Sequence, residues 1–235
     1  MLYKIAGVIF EIKPKHKYLE NLCADYLVYG VTPDCVITVS SEDIEAEREN
    51  EEVKNFPEYY LESTAVFRKI CDYILKNKKG ILFHSSAVAV NGNAYLFTAP
   101  SGTGKSTHAK LWKDMLKDKM VYVNDDKPII RLENGECYVY GTPWNGKHKL
   151  GNNLRVKVAA ICEIRRGKEN RIEEISAGEM LKVAFNQTVV PASLPEMDEY
   201  LDILNVLLKN TRLFRLYCNT DPQAAEVSYK AMVKE

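Results

Sequence analysis

Apolar and polar residues alternate from Leu2 to Ile12 and again over Cys35–Val39, the period of half-buried strands. Ser41–Lys54 breaks the pattern with seven acids against two bases, which predicts a solvated loop or helix face. Thr64–Lys79 sets Val66, Ile70, Tyr73 and Ile74 at helical spacing, and Gly80 marks a stop. From there the character changes. Ile81–Val90 is a β-rich run, Asn91-Gly92 is a two-residue hairpin turn, and Asn93–Thr98 is the returning strand. Ser106–Leu116 places Ala109, Trp112 and Leu116 on one helical face. Met120–Val123 is a short apolar strand ending at Asn124-Asp125-Asp126. A second hairpin joins Ile129–Leu132 to Cys137–Tyr140 around Asn134-Gly135, and Val156–Ile164 reads as a buried strand. Ser176-Ala177-Gly178-Glu179 and Ser193-Leu194-Pro195-Glu196 fit capping boxes that open two helices, the second carrying Met197, Leu201, Leu204 and Leu208 on one face. Leu213–Cys218 is a last strand, and Asp221-Pro222 opens a last helix. Strands alternating with helices predict an α/β fold from residue 79 to 235, preceded by a small α+β region over residues 1–78. Nothing in that first region groups into chemistry, so packing or partner binding is its expected role.

The residues after Thr98 change the picture. Ala99-Pro100-Ser101-Gly102-Thr103-Gly104-Lys105-Ser106-Thr107 carries the end of the phosphate-binding P-loop pattern, G-x-x-x-x-G-K-[ST]. Glycines let consecutive N–H groups turn inward toward phosphate oxygens. Lys105 supplies a point charge, and Ser106 offers a hydroxyl to Mg²⁺ while opening a helix whose N-terminus favours anions. Ala99 stands where the motif has its first glycine. A nucleotide is therefore the expected ligand of Ser101–Thr107.

Composition narrows the partners. The 235 residues are 46% apolar and 27% charged, with a formal net charge of zero, so neither nucleic acid nor an anionic membrane is favoured. No apolar run approaches the ~20 residues of a membrane span. Met1–Ile5 leads into strand-like alternation and not a secretory signal, and six scattered cysteines form no C-x-x-C pair. A reduced, cytoplasmic protein without a cysteine zinc site is expected.

Three further groups converge on the loop. Regular register around Asn91-Gly92 sets His84 opposite Ala99, at the mouth of the loop. Asp125-Asp126 ends a strand beside a P-loop, where one carboxylate can hold Mg²⁺ and the other can accept the proton of an attacking hydroxyl. Gly141–Asn153 is a loop carrying Trp144, Lys147, His148 and Lys149. Its cations suit phosphate or an acidic substrate, and Trp144 suits stacking on a base or a peptide side chain, against the plainer reading of a polar surface loop with one anchoring tryptophan. Arg155, Arg165 and Arg166 are more simply surface charge than phosphate ligands.

Phe83-His84-Ser85-Ser86-Ala87, Ser101–Thr107 and Asn124-Asp125-Asp126, in this order around a hairpin, resemble the kinase core of HPr kinase/phosphorylase and ATP-dependent phosphoenolpyruvate carboxykinase. The chain is similar to bacterial HPr-kinase-like proteins often found beside peptide-modification genes. The resemblance implies a mixed sheet with a β-hairpin before the P-loop and flanking helices. It implies that Lys105 and the Ser101–Thr107 backbone hold ATP, that Ser106 and Asp126 bind Mg²⁺, and that Asp125, assisted by His84, activates a hydroxyl. The carboxykinase histidine at the His84 position binds a second metal, which admits Mn²⁺. It implies a kinase acting on serine or threonine of a peptide or small protein. A homo-oligomer stays open, as do a non-catalytic nucleotide-sensing or scaffold protein and a kinase of a free small molecule such as serine. Lys127 stands where HPr kinases often have a third acid, so HPr itself is not implied as the acceptor.

Overall fold

The computed structural model describes residues 1–49 and 55–233. The alternation over Leu2–Ile12 is two strands and not one. β1 (Leu2–Ile5) and β2 (Val8–Ile12) form a hairpin through Ala6 and Gly7, both left-handed at φ 48° and 78°. Alternation continues across this turn, and no Asn-Gly announces it. β3 (Leu27–Val28) and β4 (Cys35–Ile37) complete a sheet of order β3-β1-β2-β4. Around it lie α1 (Lys17–Leu22), α2 (Ser41–Arg48) and α3 (Glu58–Lys78). The acidic stretch is thus helical at its start, where Ser40 and Asp43 cap each other reciprocally, while residues 50–54 of it lie outside the described residues. α3 begins ahead of the predicted Thr64. It ends on Lys79 in the left-handed region, so Gly80 is not the stop. Gly80 serves close approach instead: a Cβ there would lie 2.5 Å from Ile74 Cγ2 and 2.7 Å from Arg131 Cγ.

The larger sheet takes β5 (Gly80–Leu82), β6 (Ser86–Val90), β7 (Asn93–Thr98), β8 (Met120–Asn124), β9 (Ile129–Glu133), β10 (Glu136–Tyr140) and β11 (Arg155–Arg166) in the order β5-β9-β10-β11-β7-β6-β8. β13 (Arg212–Cys218) also pairs with β11, and β12 (Arg171–Glu174), unforeseen in the sequence, pairs with β13. The sheet is mixed. β7, β11 and β13 run parallel, whereas the Asn91-Gly92 and Asn134-Gly135 hairpins are antiparallel, with both residues of each turn at positive φ. The run Ile81–Val90 is interrupted at Phe83–Ser85, where β5 leaves to pair with β9 and β6 pairs with β7 and β8.

Helices cover both faces, as buried parallel strands require. α4 (Lys105–Leu116) and α7 (Gln223–Met232) bury Ala109, Trp112, Ala225 and Met232 against Tyr95, Phe97 and Cys162. On the other side, α5 (Ala177–Phe185) and α6 (Leu194–Asn210) bury Met180, Tyr200, Leu204 and Leu207 against Leu96, Val123 and Ile161. The α6 face is turned from the predicted one: Leu201 is exposed and Tyr200 and Ile203 are buried. Ser176 and Glu179 form the expected capping box, but Ser193 makes no side-chain cap.

The division at residue 78 is not a gap in packing. Tyr3, Phe10, Val66, Phe67 and Ile70 share one core with Ile129, Tyr140 and Trp144. Among the described residues no helix is long and apolar enough to cross a membrane, and all six cysteines are free.

Candidate active site

β11 and β13 end together at Arg166 and Cys218, three residues past Glu163, which lies opposite the end of β7 at Thr98, and ligands of α/β sheets settle outside such carboxyl ends. The segment between β7 and α4 lies there. Gly102 and Gly104 hold φ of 73° and 129°, and a Cβ on either would meet nothing, so they are needed for backbone conformation and not for fit. The amides of Gly102, Gly104, Lys105, Ser106 and Thr107 donate to no backbone carbonyl among the described residues, although His108 N–H already reaches Gly104 O. Free amides at a helix N-terminus form an anion cup. Ser101, Ser106 and Thr107 are exposed and Thr103 is partly so. Arg166 Nη2 donates to Gly102 O at 2.7 Å and steadies the loop. Along the cup a cleft of about 440 Å³ runs between Thr107, Leu111, Ile164 and Thr220.

Lys105 is only 7% exposed, and its ammonium donates to Ala99 O at 2.8 Å. Ala99 therefore contributes its carbonyl, which any residue has. Burial lowers the Lys105 pKa, and the charge of Asp126 opposes that shift.

His84 sits in the break between β5 and β6, outside the ladder with β7, so it does not pair with Ala99. Its N–H donates to Gln187 O at 2.7 Å, and its carbonyl accepts Thr98 Oγ1 at 3.0 Å. Its Nε2 lies 2.9 Å from Asp126 Oδ1; a carboxylate only accepts, so Nε2 carries the proton in that bond. Burial pushes the Asp126 carboxyl upward, but the His84 bond and the charges of His84, Lys127 and Lys105 outweigh it, leaving the group below its ordinary value.

Asp125 is 2% exposed. Burial raises its pKa, against the hydrogen bonds of Gly146 N–H and its own N–H. Gly146 N–H donates to Asp125 Oδ1 at 2.7 Å, which ties the loop after β10 to this carboxylate. The turn bearing both acids is fixed by Asn124, a residue assigned no role in the sequence. Its Oδ1 accepts from Asp126 N at 2.8 Å and Lys127 N at 2.7 Å, and its Nδ2 donates to Thr142 O at 3.1 Å and Trp144 O at 3.3 Å.

Trp144 corrects an expectation. Its indole is 7% exposed, stacks on Phe67 at 4.4 Å and donates to Ser63 Oγ at 2.9 Å, so it anchors the loop to α3 and offers no face to a base or peptide side chain. Lys147, His148 and Lys149 follow on an exposed turn closed by Lys149 N–H to Gly146 O at 3.1 Å. Arg155 is elsewhere: Glu133 and Tyr140 take its Nε, and its guanidinium lies over the Tyr138 ring at 3.4 Å.

No group of three or more His, Cys, Asp and Glu side chains that could hold a metal occurs among the described residues. Mg²⁺ needs none, because one or two hard oxygens, water and substrate phosphates complete its octahedron. The Asp126 carboxylate and the exposed Ser106 hydroxyl fit that donor set.

No protein-family model matches the chain, and no curated protein does. Among solved structures it is similar to the HPr(Ser) kinase/phosphatase from Coxiella burnetii, with 10% identity, a TM-score of 0.33, and coverage of 64% of this chain and 95% of that one. The likeness is distant, and the mixed α/β architecture stands on the strand order and register given above.

Proposed function

We propose that the protein is an ATP- and Mg²⁺-dependent kinase that moves the γ-phosphoryl group to a hydroxyl, on serine or threonine of a peptide or small protein. What supports this reading is the nearness of Asp126 to Lys105 in the loop of free amides, together with two adjacent carboxylates whose pKa values are driven apart. Asp126 stays ionised and, with Ser106, holds Mg²⁺, which supplies charge neutralisation to the phosphates. His84 fixes Asp126 through its Nε2–H. Lys105 and the amides of Ser101–Thr107 hold the triphosphate. The acceptor oxygen attacks the γ-phosphorus, the bond from that phosphorus to the β-bridging oxygen breaks, ADP leaves, and the hydroxyl proton passes to the Asp125 carboxylate. Positioning and charge neutralisation are what a loose phosphoryl-transfer transition state needs.

The test is transfer of label from γ-labelled ATP to serine- and threonine-bearing peptides. Wild-type protein should label an acceptor, and Asp125→Asn should bind nucleotide normally yet lose about 10²–10⁴ in transfer rate, the usual share of a general base. Lys105→Ala should lose affinity and rate together. Near-native turnover in Asp125→Asn would remove the base assignment, and unchanged nucleotide affinity in Lys105→Ala would remove the cup.

A further inference from the structure

A second cavity, of about 380 Å³, opens on the α5 face of the sheet between Pro100, at the start of the anion cup, and Gln187, whose carbonyl receives the His84 N–H. It borders the loop at Pro100 and the residue that holds the His84 backbone, and its lining is separate from that of the cleft along the cup. Its charges are unequally engaged. Glu163 is clamped by Arg215 Nε at 2.6 Å and Arg165 Nε at 2.8 Å, and Glu179 takes Arg215 Nη1 at 3.0 Å. Both carboxylates are thereby neutralised. Arg165 spends only Nε, which leaves its terminal nitrogens to a ligand, and Lys182 makes no ion pair among the described residues. Gln187 is 6% exposed, and its Oε1 has no hydrogen-bond partner. With Glu163 and Glu179 set against Arg165, Arg215 and Lys182, the lining keeps one net positive charge, and the terminal N–H groups of Arg165 stand ready for an anionic group.

We infer that this cavity receives the phosphoryl acceptor and that the acceptor is an acidic peptide. A carboxylate near the reacting hydroxyl meets the Arg165 guanidinium and Lys182. Extended chain is preferred to a single small acid because a second set of exposed cations, Lys147 and Lys149, stands on the loop bonded to Asp125. An extended chain can address both sets. This inference rests on the kinase reading for its chemistry, but its binding half is separable.

Fluorescein-labelled octapeptides with one serine flanked by glutamates or by lysines are titrated into the full chain and followed by anisotropy, then offered as acceptors with ATP and Mg²⁺. The glutamate peptide should bind at least about tenfold tighter than the lysine peptide, a difference of about 1.4 kcal/mol. Lys182→Glu should erase or invert the preference, and Arg165→Gln should weaken it while Arg215 still holds Glu163. Melting temperatures near wild type certify that both variants fold. Equal binding of the two peptides, or an unchanged preference in both variants, overturns the acidic-acceptor assignment. Polarity-dependent binding without any transfer keeps the cavity and removes the kinase; equal transfer to both peptides does the reverse.

Discussion

Asp125 and Asp126 are adjacent in the chain, yet their surroundings separate them. Burial lifts the first carboxyl; burial also pushes on the second, but the His84 hydrogen bond and nearby cations outweigh it. Transfer should rise with pH along an acid limb lying above the ordinary aspartate value of ~3.9, and that limb should vanish in Asp125→Asn. The same burial affects stability. A raised carboxyl pKa means that the folded state holds the proton more tightly, so stability is lost as pH climbs from the unfolded pKa through the folded one. Asp125→Asn should therefore raise the melting temperature at neutral pH and change it little in acid, which calorimetry at the two conditions will read. Gly146 is close enough that an added Cβ would lie 2.9 Å from Asp125 Oδ2. Gly146→Ala should slow transfer while nucleotide affinity holds, as measured by separate titration and kinetics. The acids and Lys105 were legible because short motifs place them. Asn124 was not, since its partners at Thr142 and Trp144 are distant in sequence and no spacing rule links them. Asn124→Ala would strand several buried groups and should cost about 3 kcal/mol or more in denaturant unfolding, at ~1–3 kcal/mol for each unsatisfied group.

At the scale of elements, local turn chemistry decided what could be read in advance. Asn91-Gly92 and Asn134-Gly135 announce their hairpins, and the first sets the β6–β7 register as expected, from Ser86 against Phe97 to Val90 against Asn93. Ala6-Gly7 carries the same left-handed geometry without that signature, so β1 and β2 fused in the sequence pattern. The break at Phe83–Ser85 was hidden for another reason. Both halves are apolar, and only the choice of partner strand, β9 or β7, separates them. That break matters to the site, because a continuous strand would keep the His84 backbone in the ladder. Here Gln187 and Thr98 hold it instead. Thr98→Val should keep the β6–β7 hairpin but drop the bond to His84 O, costing about 1 kcal/mol in stability and more in transfer rate than in nucleotide affinity.

For the whole molecule, the parallel core of β7, β11 and β13 and its helical cover could be anticipated from the alternation of strands and helices. The shared core with residues 1–78 could not, because periodicity shows that a face is apolar and not what will cover it. A chain beginning at Lys79 should expose Ile129, Tyr140 and Trp144, bind hydrophobic dyes and precipitate, and solubility with dye fluorescence will test this. Trp144→Ala should unfold at markedly lower denaturant, since emptying a buried tryptophan site costs about 3–5 kcal/mol. The indole also joins two regions that a domain map would divide: it grips Phe67 and Ser63 two residues before the Gly146 amide that touches the Asp125 carboxylate. Chimeras that exchange the amino-terminal third between relatives must therefore transplant both sides of this rivet together, or the graft will fold with its reaction machinery out of true.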